Sequence, residues 1–133
     1  MAKLIYKFWA YAGYYNFVAD IEGDTVKYKT KGLNFGSTKE GKLEGVDVSN
    51  FKAALAKAEI ENWEATYEPN ANEEVVMDIG HFNVCYVDDD NNVYITIGTE
   101  GYEPVEYDSL ISSLAVCDSE AKQLLPETVI LDE

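Results

Sequence analysis

Residues 14–31 read YYNFVADIEGDTVKYKTK, and this stretch decides the fold class. Tyr15, Phe17, Ala19 and Ile21 alternate with Asn16, Val18 and Asp20. After Glu22-Gly23-Asp24, Val26 and Tyr28 alternate with Lys27, Lys29 and Lys31. Side chains of a strand point to opposite faces in turn, so both halves are half-buried strands with one apolar side. The acidic glycine turn joins them as a hairpin.

The same period continues outward. Residues 4–11, LIYKFWAY, alternate loosely ahead of the Ala12-Gly13 turn. Lys3, Lys7 and the Ala10-Tyr11-Ala12 triplet have a superficial likeness to a secretory signal. The stretch is aromatic rather than aliphatic, so a first β-strand is the expectation. Residues 32–46 hold Gly32, Gly36, Gly41 and Gly45 without the spacing of a phosphate-cradling loop. They predict a turning segment with one short edge strand.

A helical period replaces the alternation at NFKAALAKAEIENW. Asp47 or Ser49 is the expected cap. Phe51, Ala54, Leu55 and Ala58 form one stripe, with Ile60, Trp63 and Tyr67 extending a second face until Pro69 ends the helix. VVMDI (75–79), HFNVCYV (81–87) and VYITI (93–97) predict two or three antiparallel strands, with DDDNN (88–92) as a turn. Pro104 is expected to open a helix over about residues 104–115, with Tyr107, Leu110, Ile111 and Leu114 inward. DSEAKQLL adds a turn or two, and TVILD is an edge strand or a tail. The order predicts an α+β domain over residues 1–133: an antiparallel sheet with two main helices on one face, ββ(β)-α-ββ(β)-α.

Trp63-x-x-x-Tyr67, the following paired strands, and Gly101-Tyr102-x-Pro104 with Tyr107, Leu110 and Leu114 carry a resemblance. Residues 51–115 resemble small uncharacterised bacterial proteins that place a W-x-x-x-Y pair before a hairpin and a Gly/Pro turn before a helix. Their pattern has Tyr directly before Pro, whereas Glu103 stands between Tyr102 and Pro104 here. The resemblance implies architectural roles for these residues and brings no activity with it.

Charge is the remaining signal. The 133 residues carry 25 acids against ten bases, a formal net charge of −15, and every base is lysine. Residues 1–57 hold nine lysines and six acids. Residues 58–133 hold nineteen acids and one lysine. The absence of arginine argues against bidentate phosphate or base recognition, and the field repels a nucleic-acid backbone. No direct nucleic-acid binding and no membrane span are expected. Cys85 and Cys117 are expected as two free, mostly buried thiols, with a disulfide between them the alternative, and free thiols favour a reducing, cytoplasmic location. With one histidine and no CxxC, no metal or cofactor is expected.

No catalytic residue stands out. His81, Cys85 and Asp78 suggest a Cys–His pair only as a remote alternative to a surface histidine and a strand thiol. Asp88, Asp90 and Asn92 have the first spacing of a calcium loop but lack its glycine and distal glutamate. Trp63 and Tyr67 read as core rather than ligand platform. The leading expectation is a noncatalytic acidic protein that binds, and in inhibiting it occupies, a basic macromolecular partner: a basic or nucleic-acid-binding protein, as an immunity or mobile-element inhibitor would. The interface expected is Glu68, Glu73, Glu74, Asp88, Asp89, Asp90, Glu100, Glu103 and Glu106. The alternatives are an accessory protein whose acidity serves solubility, and a small ligand-binding protein or enzyme.

Overall fold

The computed structural model describes residues 1–10, 13–33, 38–68 and 80–124. The expected strand at 75–79, Asp78, Glu73, Glu74 and the 128–132 segment lie outside these. The elements run β1 (Ala2–Ala10), β2 (Gly13–Glu22), β3 (Thr25–Leu33), β4 (Lys39–Leu43), α1 (Val46–Ala58), β5 (Thr66–Tyr67), β6 (His81–Val87), β7 (Val93–Thr99) and α2 (Tyr107–Cys117). Short 3-10 turns follow each helix, at Ile60–Asn62 and Ser119–Leu124.

Among the described residues the strands form one sheet in the order β4-β3-β2-β1-β6-β7-β5. The hairpin of residues 14–31 forms as its alternation requires, with Phe17 opposite Thr30 and Ile21 opposite Val26. β1 sits in the middle, antiparallel to both β2 and β6. Leu4, Tyr6, Phe17, Ala19, Phe82 and Val84 point to one face and are fully buried. Both helices cover that face: Phe51 and Leu55 of α1 and Leu110, Ile111 and Leu114 of α2 join the same core.

Three boundaries differ from the sequence expectation. α1 starts at Gly45, which takes φ 65°, and the Val48 N–H donates to the Gly45 carbonyl; neither Asp47 nor Ser49 caps it. Only glycine adopts that backbone without steric cost. α1 also ends at Ala58 rather than running to Tyr67. Glu59 turns left-handed (φ 49°, ψ 46°), and the Trp63 indole N–H donates to the Ala58 carbonyl at 2.7 Å. The indole satisfies a carbonyl that a terminating helix leaves open. Pro104 does not open α2: its carbonyl accepts the Tyr107 N–H in a turn, and Glu106 is the first flanking residue.

One strand was not expected. β5 adds parallel to β7, Thr66 opposite Ile97 and Tyr67 opposite Gly98. Tyr67 still meets Trp63 edge-on at 6.4 Å, but from this strand rather than from a helix.

The core contains a polar line. The Tyr6 and Tyr107 hydroxyls are hydrogen-bonded to one another, and Tyr6 lies 6.5 Å from the Tyr15 ring. Tyr15 donates to Asp118 Oδ2 at 3.0 Å, and Lys39 Nζ donates to Oδ1 at 2.8 Å. The Asp118 side chain is wholly buried, while that of Lys39 remains 37% exposed. Burial, then the Asp118 charge, pushes the Tyr15 phenol far above its ordinary range.

Candidate functional site

The structure sorts the expected interface residues into two groups. Asp88, Asp89 and Asp90 form the β6–β7 turn. Glu68, Glu100, Glu103 and Glu106 lie past the opposite ends of the same strands. The length of β7 puts about 20 Å between the groups.

The carboxylates of the second group are largely engaged in building the fold. Glu68 Oε1 accepts the Thr99 hydroxyl at 3.0 Å, and Glu100 Oε1 accepts the Gly80 N–H at 3.0 Å. Glu103 Oε1 accepts the Gly101 N–H at 2.9 Å, and partial burial holds its carboxyl above the ordinary carboxylate range.

The first group has more around it. The antiparallel pairing of β1 with β2 and β6 brings the 22–24 turn to the same end as the 88–90 turn. The 3-10 turn after α1 places Glu61 there as well. Tyr86 and Tyr94 lie directly opposite one another on β6 and β7, with rings stacked at 6.3 Å and 22°. Desolvation raises the pKa of the Tyr86 phenol, and the charges of Glu61, Asp89 and Asp88 add to the rise. Those carboxylates therefore share the field at the tyrosine pair.

A pocket of about 330 Å³ opens beside Tyr86. Ala2, Ile21, Leu55 and Ile60 give it an apolar floor, and Glu61 and Asp89 stand in its lining. Lys52 also borders it, but its ammonium donates to the Gly23 carbonyl at 2.6 Å. Asp89 and the Met1 amine, both exposed, lie 3.5 Å apart.

The D-x-D-x-N run is a turn by construction. Asp88 Oδ1 accepts the N–H groups of Asp90 and Asn92, each at 2.9 Å, and Oδ2 accepts from the Asn92 amide at 3.1 Å. These bonds hold the Asp88 carboxyl below its ordinary range. An Asp that bonds its own backbone two residues on is the chemistry of a tight turn. Among the described residues no group of three His, Cys, Asp or Glu is placed to hold a metal ion.

His81 and Cys85 share a strand face but stand four residues apart, about 13 Å along an extended chain. His81 instead stacks on Trp9 at 5.6 Å. Cys85 and Cys117 are both free thiols. Burial pushes the Cys117 thiol up to about 12, with Asp118 adding to it. No described helix is long and apolar enough to cross a membrane.

Sequence reasoning missed Tyr86, Tyr94 and Glu61 as members of one site. The alternation showed Tyr86 on the covered face, and the pairing of HFNVCYV with VYITI put Tyr94 opposite it. What the sequence could not show was that α1 stops early, leaving that end of the face uncovered and Glu61 beside it. No protein-family model, no curated protein and no solved structure matches the chain.

Proposed function

We propose that the chain is a noncatalytic binding protein that occupies the basic surface of another protein, a nucleic-acid-binding protein included. The observation that carries this reading is the stacked Tyr86–Tyr94 pair beside a pocket bordered by Glu61 and Asp89. A lysine or arginine side chain suits that combination. Its aliphatic stem packs on Ile21, Leu55 and Ile60, and its charge meets carboxylates and an aromatic face. The pocket volume is at the low end of the roughly 300–1,000 Å³ of ligand sites, enough for a side chain and too small for a large ligand.

The field supports the same partner. A net charge of −15 accelerates encounter with a basic protein and disfavours acidic ones at long range. Free thiols fit a reducing, cytoplasmic setting for such an encounter. The acids of the 100–106 turn contribute to the field but take less part in contact, since three of the nearby carboxylates already bond the fold.

The test is capture at low salt from lysate by the wild-type protein and by the Glu61→Lys, Asp89→Lys double variant, followed by identification of the captured proteins. Basic proteins retained by the wild type and lost by the variant are the expected result. Equal capture by both would show that the pocket end is not the binding surface.

A further inference from the structure

The face of the sheet away from the helices has a different character from the rest of the molecule. Alternation sends Lys3 and Lys7 of β1, Lys27, Lys29 and Lys31 of β3, and Lys42 of β4 to this side. These are six of the ten lysines. Against them stand Asp20, Glu40 and Glu44 on the same face, 3.7 Å from Lys3, 3.8 Å from Lys29 and 3.1 Å from Lys42, with Glu22 at the strand end, which leaves six lysines against four carboxylates. The face is therefore net positive on a chain that is otherwise strongly negative.

Its other half is apolar. β6 and β7 place no charged side chain here apart from the single histidine, His81. Val93, Ile95 and Ile97 are 58%, 60% and 43% exposed, and Trp9, next to β6, is 43% exposed. Ile5, Cys85 and Ile95 follow one another across three neighbouring strands, so the apolar side chains are contiguous rather than scattered. Contiguous exposed apolar surface on a soluble fold is the usual mark of an interaction site. On the lysine half, a shallow concavity of about 600 Å³ lies over β2, β3 and β4, bordered by Val18, Lys27, Lys29 and Lys42 and also by Asp20 and Glu40. Among the described residues no element covers either half.

We infer that this open face docks an acidic amphipathic segment of another protein, its carboxylates on the lysines of β3 and β4 and its aliphatic side chains on Ile95, Ile97 and Trp9. Charge complementarity selects the occupant. A second copy laid face to face brings lysines either onto lysines or onto apolar side chains. A nucleic acid has no use for three branched aliphatic residues and meets no arginine fork for its phosphates, whereas a short acidic segment meets these lysines inside a screening length of about 8 Å, where distant acids count little. The six strands of the face span about 25 Å, the length of a helical segment of about 16 residues laid across them. This surface is separate from the Tyr86 pocket, which opens on the helix side, so the chain presents surfaces of opposite sign to two partners.

The experiment is a backbone amide NMR titration of the full chain, with Trp fluorescence alongside. The probe is a synthetic amphipathic peptide of about 16 residues, glutamates in one half and isoleucines in the other. Its lysine-for-glutamate counterpart, a dT12 oligonucleotide and phosphatidylserine vesicles are the other arms. The acidic peptide is expected to shift the amides of Lys27, Lys29, Ile95 and Ile97 saturably and to change Trp9 emission. Lys27→Gln with Lys29→Gln should weaken it about fivefold, and so should Ile95→Ser, with unchanged thermal midpoints. No saturable shift on this face, equal affinity in these variants, or tighter binding of the lysine peptide, the oligonucleotide or the vesicles would overturn the inference.

Discussion

Asp118→Asn is the substitution whose cost the structure specifies most closely. Asp118 closes α2, caps the 119–124 turn and sits at zero side-chain exposure between β2 and β4. Its carboxylate accepts three bonds: the Tyr15 hydroxyl at 3.0 Å, Lys39 Nζ at 2.8 Å and the Glu120 N–H at 3.1 Å. Removing one member of a buried ion pair costs about 3–5 kcal/mol when the other is stranded without water. Lys39 is partly exposed, so its ammonium regains some hydration and the expected loss is about 2–3 kcal/mol. Asparagine keeps one acceptor for Lys39 and the Glu120 N–H and can donate to the Tyr15 hydroxyl oxygen, so the loss expected is that of the charge facing Lys39. With a urea slope of about 1–3 kcal/mol per molar, the midpoint should fall by about 0.7–3 M at unchanged slope. Tyr15→Phe, which removes one bond and leaves the carboxylate two donors, should cost about 1 kcal/mol. A midpoint that moved by less than about 0.3 M in Asp118→Asn would refute the view that this carboxylate ties the sheet to the helix layer.

Glu59→Gly should stabilise the protein by about 0.5–1 kcal/mol in the same assay, because Glu59 holds a left-handed backbone that glycine adopts freely. Glu103 has its folded-state pKa raised by burial, so its contribution to stability is complete below the unfolded value of about 4.3 and is lost as pH rises through the folded one. Glu103→Gln should therefore gain on the wild type between about pH 4 and pH 7, by less than about 1 kcal/mol after solvent screening, and equal stability profiles at both ends would contradict this. At pH 8 maleimide should modify the native protein at Cys85 first and leave Cys117, with its thiol pushed up to about 12, to react only on unfolding; mass spectrometry reads the order.

Much of the architecture follows from residue periods. Lys27, Lys29 and Lys31 against Val26 and Tyr28 is a two-residue rhythm, and it assigned both faces of the sheet correctly. The stripes Phe51–Leu55–Ala58 and Tyr107–Leu110–Leu114 likewise named the buried sides of the helices. What escaped was whatever depends on a single backbone conformation or a distant partner. Glu59 is a good helix former by propensity, yet the helix ends there because Trp63 reaches back to a carbonyl. Thr66 and Tyr67 give no strand signal by themselves, and they pair only because β7 presents an edge. Asp118 is one acid among 25 in the sequence, with nothing local to mark it as the buried one.

The fold distributes the charge by face as well as by sequence. The sequence divides at Lys57 into a slightly basic part and a strongly acidic one. The sheet keeps that division side by side, β4-β3-β2-β1 from the basic part and β6-β7-β5 from the acidic part, and alternation then splits each side between two faces. Six lysines collect on the open face with Asp20, Glu40 and Glu44 among them, and the acidic turns sit at the strand ends. Asp88–Asp90 and Glu100–Glu106, near neighbours in sequence, part to opposite ends of one hairpin.

The central claim is that a basic side chain enters the pocket beside Tyr86. The most direct measurement is a backbone amide and aromatic NMR titration of the full chain with a short arginine- and lysine-rich peptide, at about 20 mM salt where screening is weak. Saturable shifts confined to Tyr86, Tyr94, Glu61 and the 88–90 turn are expected, lost in Glu61→Lys with Asp89→Lys. Shifts spread evenly over every acidic residue, or centred on the 100–106 turn, would contradict it.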